Sequence, residues 1–305
     1  MIRCIFLLLC ILAVTTLAQA QAPDRLPLID AHSQIDPDVD QSEIVSLLNK
    51  AGIAHVILAA RNKVKPHHIA DLARKHPDRI TASMRTKGKA YNNNHPKYYK
   101  LLNKQANMSE FNAMAELIIW HAQKGNKAPE VILPFDSEQV LAAFSIAKER
   151  GWPFVVHIEF RAAGNDGPKY LSAFEDLART NKSMKFVLIH MAQLNAGQVR
   201  KLIQSHPNVY FMTSHTTPPS VRKTNQPWTI LFEGKNLKPE WKKLMSEHSD
   251  RFVFALDNVW LHHWYEEFQG QAKLWRNALG ELPLESAHAI AHKNAESLWN
   301  LTPVK

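Results

Sequence analysis

Eight short apolar runs, most of them separated by one helix-like stretch, constrain the fold of this 305-residue chain more than any other feature. They read LPLIDAH (26–32), AHVILAAR (54–61), RITASMR (79–85), PEVILPFD (129–136), WPFVVHIEF (152–160), MKFVLIHMA (184–192), VYFMTSH (209–215) and RFVFALDN (251–258). The runs are nearly continuous in Val, Ile, Leu and Phe rather than alternating, as in parallel strands covered on both faces. Stretches such as QSEIVSLLNKAG, with a stop at Gly52, and SEQVLAAFSIAKERG supply the intervening helices. Eight such units in residues 21–305 predict an α/β fold, a (β/α)8 barrel of the TIM type. The competing architecture, an open doubly wound sheet, wants a glycine-rich phosphate turn after an early strand. The chain has ten glycines and no G-x-G-x-x-G. Two long connections, 88–128 and 216–249, are candidate lids.

The N-terminus MIRCIFLLLCILAVTTLAQA combines Arg3, a short apolar core and small residues at Ala18 and Ala20. That pattern predicts a secretory signal peptide over 1–20, a single mature domain over 21–305, and a secreted or periplasmic location in a bacterial envelope. No stable membrane span is expected after cleavage. Cys4 and Cys10 both lie in this segment, so the mature chain has no disulfide, thiol nucleophile or thiolate metal site. Any metal must be held by histidine, carboxylate or amide oxygen. A net charge of +9 fits a small anionic substrate. The lysines are dispersed, with no basic helix, zinc finger or aromatic RNA-binding motif, which argues against nucleic acid. Self-association as a homo-oligomer stays open.

In a barrel of this kind the chemistry gathers at the C-terminal ends of the strands. Four runs end there in an acid/base or metal-capable group: His32, His157, His190 and Asp257. A histidine inside an apolar strand is expensive to bury unpartnered, although a lone one is more often a hydrogen-bonded core residue than a ligand. His215 ends the seventh run and faces the mouth as a substrate contact, while His262 and His263 follow Asp257 closely. His55, His67, His68, His76, His206 and His248 read as surface residues. Arg61, Arg85 and Arg161 each follow a strand and would bind a carboxylate or phosphate by their planar forks. The competing reading pairs them at the rim with Glu159, Asp136 or Asp166.

Taken together, LIDAHSQ, the strand-end His157 and His190, HSDRFVFALDN and KNAESLWNL (293–301) resemble the amidohydrolase superfamily. The likeness is to its amidohydrolase-related (amidohydrolase-2) branch of TIM-barrel metal-dependent hydrolases and decarboxylases, over nearly the whole mature chain. The resemblance implies one divalent metal, zinc or manganese, held by His32, the Gln34 position, His157 and Asp257. It implies that His190 polarises the substrate or shuttles a proton, and that Asp257 takes the proton of the attacking water. Gln34 departs from the family, which has a histidine there. An amide oxygen serves zinc less well than imidazole and suits harder cations better, so Gln34→His is expected to raise zinc affinity. The function expected is hydrolysis of an ester, lactone or amide of a small anionic molecule by metal-activated water, with metal-free lactone hydrolysis as a variant. The alternatives are a metal-dependent decarboxylase and a catalytically silent ligand-binding barrel.

Overall fold

The computed structural model describes residues 26–124, 128–219 and 226–304. The segment read as a signal peptide lies outside the described residues. Strands β1 (Leu28–Ile35), β2 (Ile53–Ala60), β3 (Ile80–Met84) and β4 (Phe111–Met114) form one parallel sheet in that order. A second sheet runs from β5 (Leu117–His121) through β7 (Phe154–Ile158), β8 (Phe186–Leu188) and β9 (Val209–Met212) to β12 (Phe252–Val253), again parallel. A short strand β6 (Val131–Ile132) adds to β5 antiparallel, and β10 (Phe232–Glu233) with β11 (Asn236–Leu237) makes a small hairpin.

Two seams join the sheets into a barrel. At the first, the chain beyond β12 runs alongside β1 and exchanges backbone hydrogen bonds with it. Ala31 N donates to Phe254 O at 3.1 Å, Asp257 N to His32 O at 2.7 Å and Gln34 N to Asn258 O at 2.7 Å. At the second, β4 and β5 are two halves of one bent stave: β4 pairs with β3, β5 pairs with β7, and Ala115–Glu116 is the bend between them. Thr86 pins this bend through its hydroxyl, which donates to Glu116 O at 2.5 Å.

The fourth stave therefore corrects the sequence reading. It is Phe111–His121, inside the supposed long connection, and the run expected at 129–136 contributes only Val131–Ile132. The described part of that connection before the stave forms the helix Pro96–Ala106 and buries Tyr91 and Tyr98 in the core. The second candidate lid carries Trp228, the hairpin and the helix Pro239–Glu247.

Helices sheathe the staves, and their ends follow local chemistry. Ile44–Ala51 stops at Gly52, whose φ of 67° lets its N–H close on Asn49 O. Ala196–Ser205 starts with a reciprocal cap between Asn195 and Gln198, both bonds at 3.0 Å. The apolar interior splits into two layers: a thick one between staves and helices, and a thin one inside the barrel built by Ile29, Ile57, Val155, Val187, Met212 and Val253. The C-terminal helix Asn294–Trp299 closes the inner layer from below with Ala295 and Trp299. Among the described residues no helix is long and apolar enough to cross a membrane.

Candidate active site

At the C-terminal ends of the staves the backbone leaves ordinary geometry. His190, Met191, Ala192 and Gln193 follow β8 with φ of 55°, 53°, 50° and 60°, a full turn of left-handed backbone without a glycine. His215, after β9, and Asp257, after β12, share this region at 52° and 55°. Left-handed backbone costs L-residues on the order of 1–2 kcal/mol each, and it persists where the surroundings over-determine it, typically at functional sites. Here Phe160 N donates to Ala192 O at 3.2 Å and Ala162 N to the Gln193 side chain at 2.8 Å. Beneath Asp257, the buried Asp30 carboxylate accepts from Ser33 Oγ at 2.6 Å, Leu256 N at 2.9 Å and His32 N at 3.3 Å. Burial pushes the Asp30 carboxyl up to about 6 against the pull of those bonds. Asp30 thus fixes the tip of β1 to the segment that presents Asp257.

From Asp257 a buried polar chain runs across the mouth. Gln34 Nε2 donates to Asp257 Oδ1 at 2.9 Å and to Glu116 Oε1 at 3.1 Å. Glu116 also receives the Lys87 ammonium, and its Oε2 lies 2.6 Å from His157 Nδ1. His157 Nε2 lies 2.9 Å from Glu159 Oε1, which takes the Lys124 ammonium at 2.7 Å. Lys124 Nζ in turn lies 3.0 Å from His121 Nε2. Burial alone would lower the His157 pKa, but the Glu116 and Glu159 carboxylates outweigh it and hold the ring above the ordinary histidine value. Burial would raise Glu116; Lys87 and His157 instead keep it well below the usual range. With a carboxylate oxygen at hydrogen-bond distance from each ring nitrogen, His157 has both nitrogens engaged. Burial, with the neighbouring His157 and Lys124, pushes His121 down to about 3.

The other side of Asp257 is different. Its Oδ2 lies 3.6 Å from His190 Nε2 and 3.6 Å from His215 Nε2. The two rings are stacked, centroids 4.4 Å apart and 13° from parallel, with Trp228 edge-on to both. Ser214 Oγ lies 2.9 Å from His190 Nδ1. Burial holds His190 well below the ordinary histidine value and lowers His215. His32 Nε2 lies 3.5 Å from Asp257 Oδ1 and is buried without a hydrogen-bond partner. Imidazole and carboxylate donors grouped this closely, one of them an orphaned nitrogen, fit a divalent cation.

These groups floor a cavity of about 250 Å³. Arg61, Arg85, Lys87 and Lys124 line it, with Trp228 and Trp260. Arg61 pairs with Asp36 at 3.1 Å and stacks 4.0 Å over Trp260. Arg85 donates only to carbonyls, Lys87 O at 3.1 Å and Asn62 O at 2.5 Å, and among the described residues it has no carboxylate partner. Burial, and then the nearby Arg61, lower its pKa.

Of the residues expected at the site, the structure brings His32, Gln34, His157, His190, His215 and Asp257 together around this cavity, with Arg61 and Arg85 on its wall. Arg161 is exposed and is not among the residues that line it. His262 and His263 line the cavity. His55 and His206, read as surface residues, are buried; His55 lies 2.8 Å from Thr81 Oγ1. Sequence reasoning missed Glu116, Lys87, Glu159 and Lys124. The signal for Glu116 was present, a carboxylate inside the apolar run FNAMAELIIWH, in a segment taken for a connection.

A family model described as amidohydrolase matches residues 126–301, more than half of the chain. The chain belongs to the amidohydrolase family. The matched span contains His157, His190, His215 and Asp257, whereas His32, Gln34 and Glu116 precede it. No curated protein matches significantly. Solved structures with the same fold include a TIM-barrel protein from Bordetella bronchiseptica described as uncharacterized. It is 14% identical with a TM-score of 0.56, over 86% of this chain and 83% of that one. A probable 2-pyrone-4,6-dicarboxylic acid hydrolase from Acinetobacter baumannii with citric acid bound is 12% identical with a TM-score of 0.52, over 90% of this chain and 99% of its own. A dihydroorotase is 14% identical with a TM-score of 0.52, over 91% of this chain and 74% of its own. At these identities the likeness is one of fold, and with the parallel staves and seams it places this amidohydrolase-family chain among TIM barrels.

Proposed function

We propose that this amidohydrolase-family protein is an exported hydrolase that cleaves an ester, lactone or amide of a small molecule bearing a carboxylate. The observation that carries the reading is the cavity itself. Its lining brings Asp257 together with the His190 and His215 imidazoles and with Arg85, a guanidinium whose partners among the described residues are carbonyls. A charged fork beside carbonyls alone is incomplete, and a ligand carboxylate completes it bidentately. The bound citric acid of the Acinetobacter structure and the dicarboxylic acid in its name point the same way.

His32, His190, His215 and Asp257 are the donors free to hold a divalent cation such as zinc or manganese, which would polarise the scissile carbonyl and acidify a water. The chain's own part is positioning and proton handling. Gln34 steadies the Asp257 carboxylate by its 2.9 Å bond, so that Asp257 can take the proton of the attacking water. Once protonated, Asp257 can return that proton to the leaving group. Arg85, with Arg61 beside it, anchors the substrate carboxylate and fixes which bond faces Asp257. Trp228 and Trp260 supply apolar walls for the rest of a small molecule.

The test is a panel of lactones, esters and amides, each with and without a carboxylate, assayed with purified protein and the Asp257→Asn variant. Hydrolysis of carboxylate-bearing members that disappears in the variant is the expected result. A folded protein that turns over none of them, or a variant as active as the parent, overturns the reading.

A further inference from the structure

The family resemblance places the metal among His32, the Gln34 position, His157 and Asp257, and the structure withdraws two of these four. Gln34 turns its amide nitrogen, not its oxygen, toward Asp257 and Glu116, at 2.9 and 3.1 Å. Reversing the amide would set its oxygen against two carboxylates. His157 has both ring nitrogens at hydrogen-bond distance from carboxylates, 2.6 and 2.9 Å. The Lys87 and Lys124 ammonium groups already serve Glu116 and Glu159.

Across Asp257 lies a second donor set. His190 Nε2 and His215 Nε2 each stand 3.6 Å from Asp257 Oδ2, and one atom from each of the three residues falls within 4.8 Å of the others. Those separations exceed the ~2.7–3.2 Å of a hydrogen bond. They are close to the edge of a tetrahedron whose centre is about 2.1 Å from each donor, roughly 3.4 Å. His190 Nδ1 lies 2.9 Å from Ser214 Oγ, and in the tautomer whose Nδ1–H donates to that hydroxyl the Nε2 lone pair is left facing Asp257. His190, His215 and Asp257 are all held in left-handed backbone, with φ of 55°, 52° and 55°.

We infer that the divalent cation of this protein is bound by His190 Nε2, His215 Nε2 and Asp257 Oδ2, with His215 at the tip of β9 taking over as a metal ligand and Gln34 serving only to orient Asp257. The inference rests on the reading of this cavity as a hydrolytic site, but its test uses the metal alone. Metal-free protein is titrated with cobalt(II) without substrate. Coordination is read from the visible absorption bands, and zinc then displaces the cobalt to give an affinity. The parent is expected to bind one equivalent.

His215→Ala is expected to lose the cobalt bands and to bind zinc weaker than the parent by more than the ~10- to 100-fold typical of a change outside the ligand shell. His215→Asp, which restores a ligand oxygen, regains the bands and controls for misfolding. His157→Gln and Gln34→Ala keep the one-equivalent endpoint. A parent that binds no cobalt overturns the inference. So does a His215→Ala protein, folded by circular dichroism, that binds as the parent does while His157→Gln does not. Cobalt bands without any turnover would leave this site standing and sink the proposed hydrolysis instead.

Discussion

The two ends of this barrel are made by the same staves and built on opposite rules. Below, Trp299 and Ala295 rise into the inner layer, with Leu298, Leu301 and Val304 packed against it. Above, five staves end in or near His32, His157, His190, His215 and Asp257 and a sixth bends at Glu116; three of these residues are in left-handed backbone, and all but the partly exposed His215 are buried. The lower end gains stability from apolar area removed from water. The upper end spends stability on strained turns and desolvated charge, which persist because carboxylates, imidazoles and lysines satisfy one another. Stability and chemistry are thus divided along the barrel axis, and the division can be attacked from either side.

The largest effect is expected at the top. Asp257→Asn should lower kcat/KM for a hydrolysed substrate by roughly 10²- to 10⁴-fold, the usual weight of a general base, with little change in the thermal midpoint. A large fall in the midpoint instead would show that Asp257 also carries the fold. At the bottom the signs reverse: Trp299→Ala should cost about 3–5 kcal/mol of stability, as for other buried tryptophans. Denaturant titration checks this, and kcat/KM of the protein that remains folded should be unchanged. Arg85→Ala should raise KM for a carboxylate-bearing substrate by roughly 10- to 150-fold, the value of a hydrogen bond to a charged group, and leave KM for its uncharged analogue alone. The smallest effect belongs to Asn195, which caps the helix just after the left-handed turn. Asn195→Ala should cost about 1 kcal/mol and leave kcat unchanged; a drop in kcat would mean that this cap helps to hold His190 in place.

Seven of the eight staves were legible because burial on both faces writes nearly unbroken apolar runs, and the exception is instructive. PEVILPFD has the stronger strand pattern, yet the fourth stave is FNAMAELIIWH, broken by Asn112 and Glu116. Glu116 sits at the bend and works in the polar chain, so the residue that matters chemically is the one that spoils the local signal. The strand-end histidines and Asp257 were visible by position alone. Invisible was which atom of each faces what. Spacing cannot reveal that His157 lies between two carboxylates, that Gln34 presents nitrogen rather than oxygen, or that Arg85 lines the cavity with no carboxylate partner among the described residues while Arg161 is not in the lining. Those follow from long-range approach of segments such as residues 34, 116 and 257, which only the closed barrel brings together.

Both seams of the barrel pass through the pocket: His32, Gln34 and Asp257 straddle one, and Glu116 is the bend at the other. A parting of the two half-shells by an ångström or two would leave most of the oily layers intact yet pull the carboxylates from their partners. The contacts that arm the pocket are thus also contacts that tie one half-shell to the other, so competence for chemistry depends on the shell being shut.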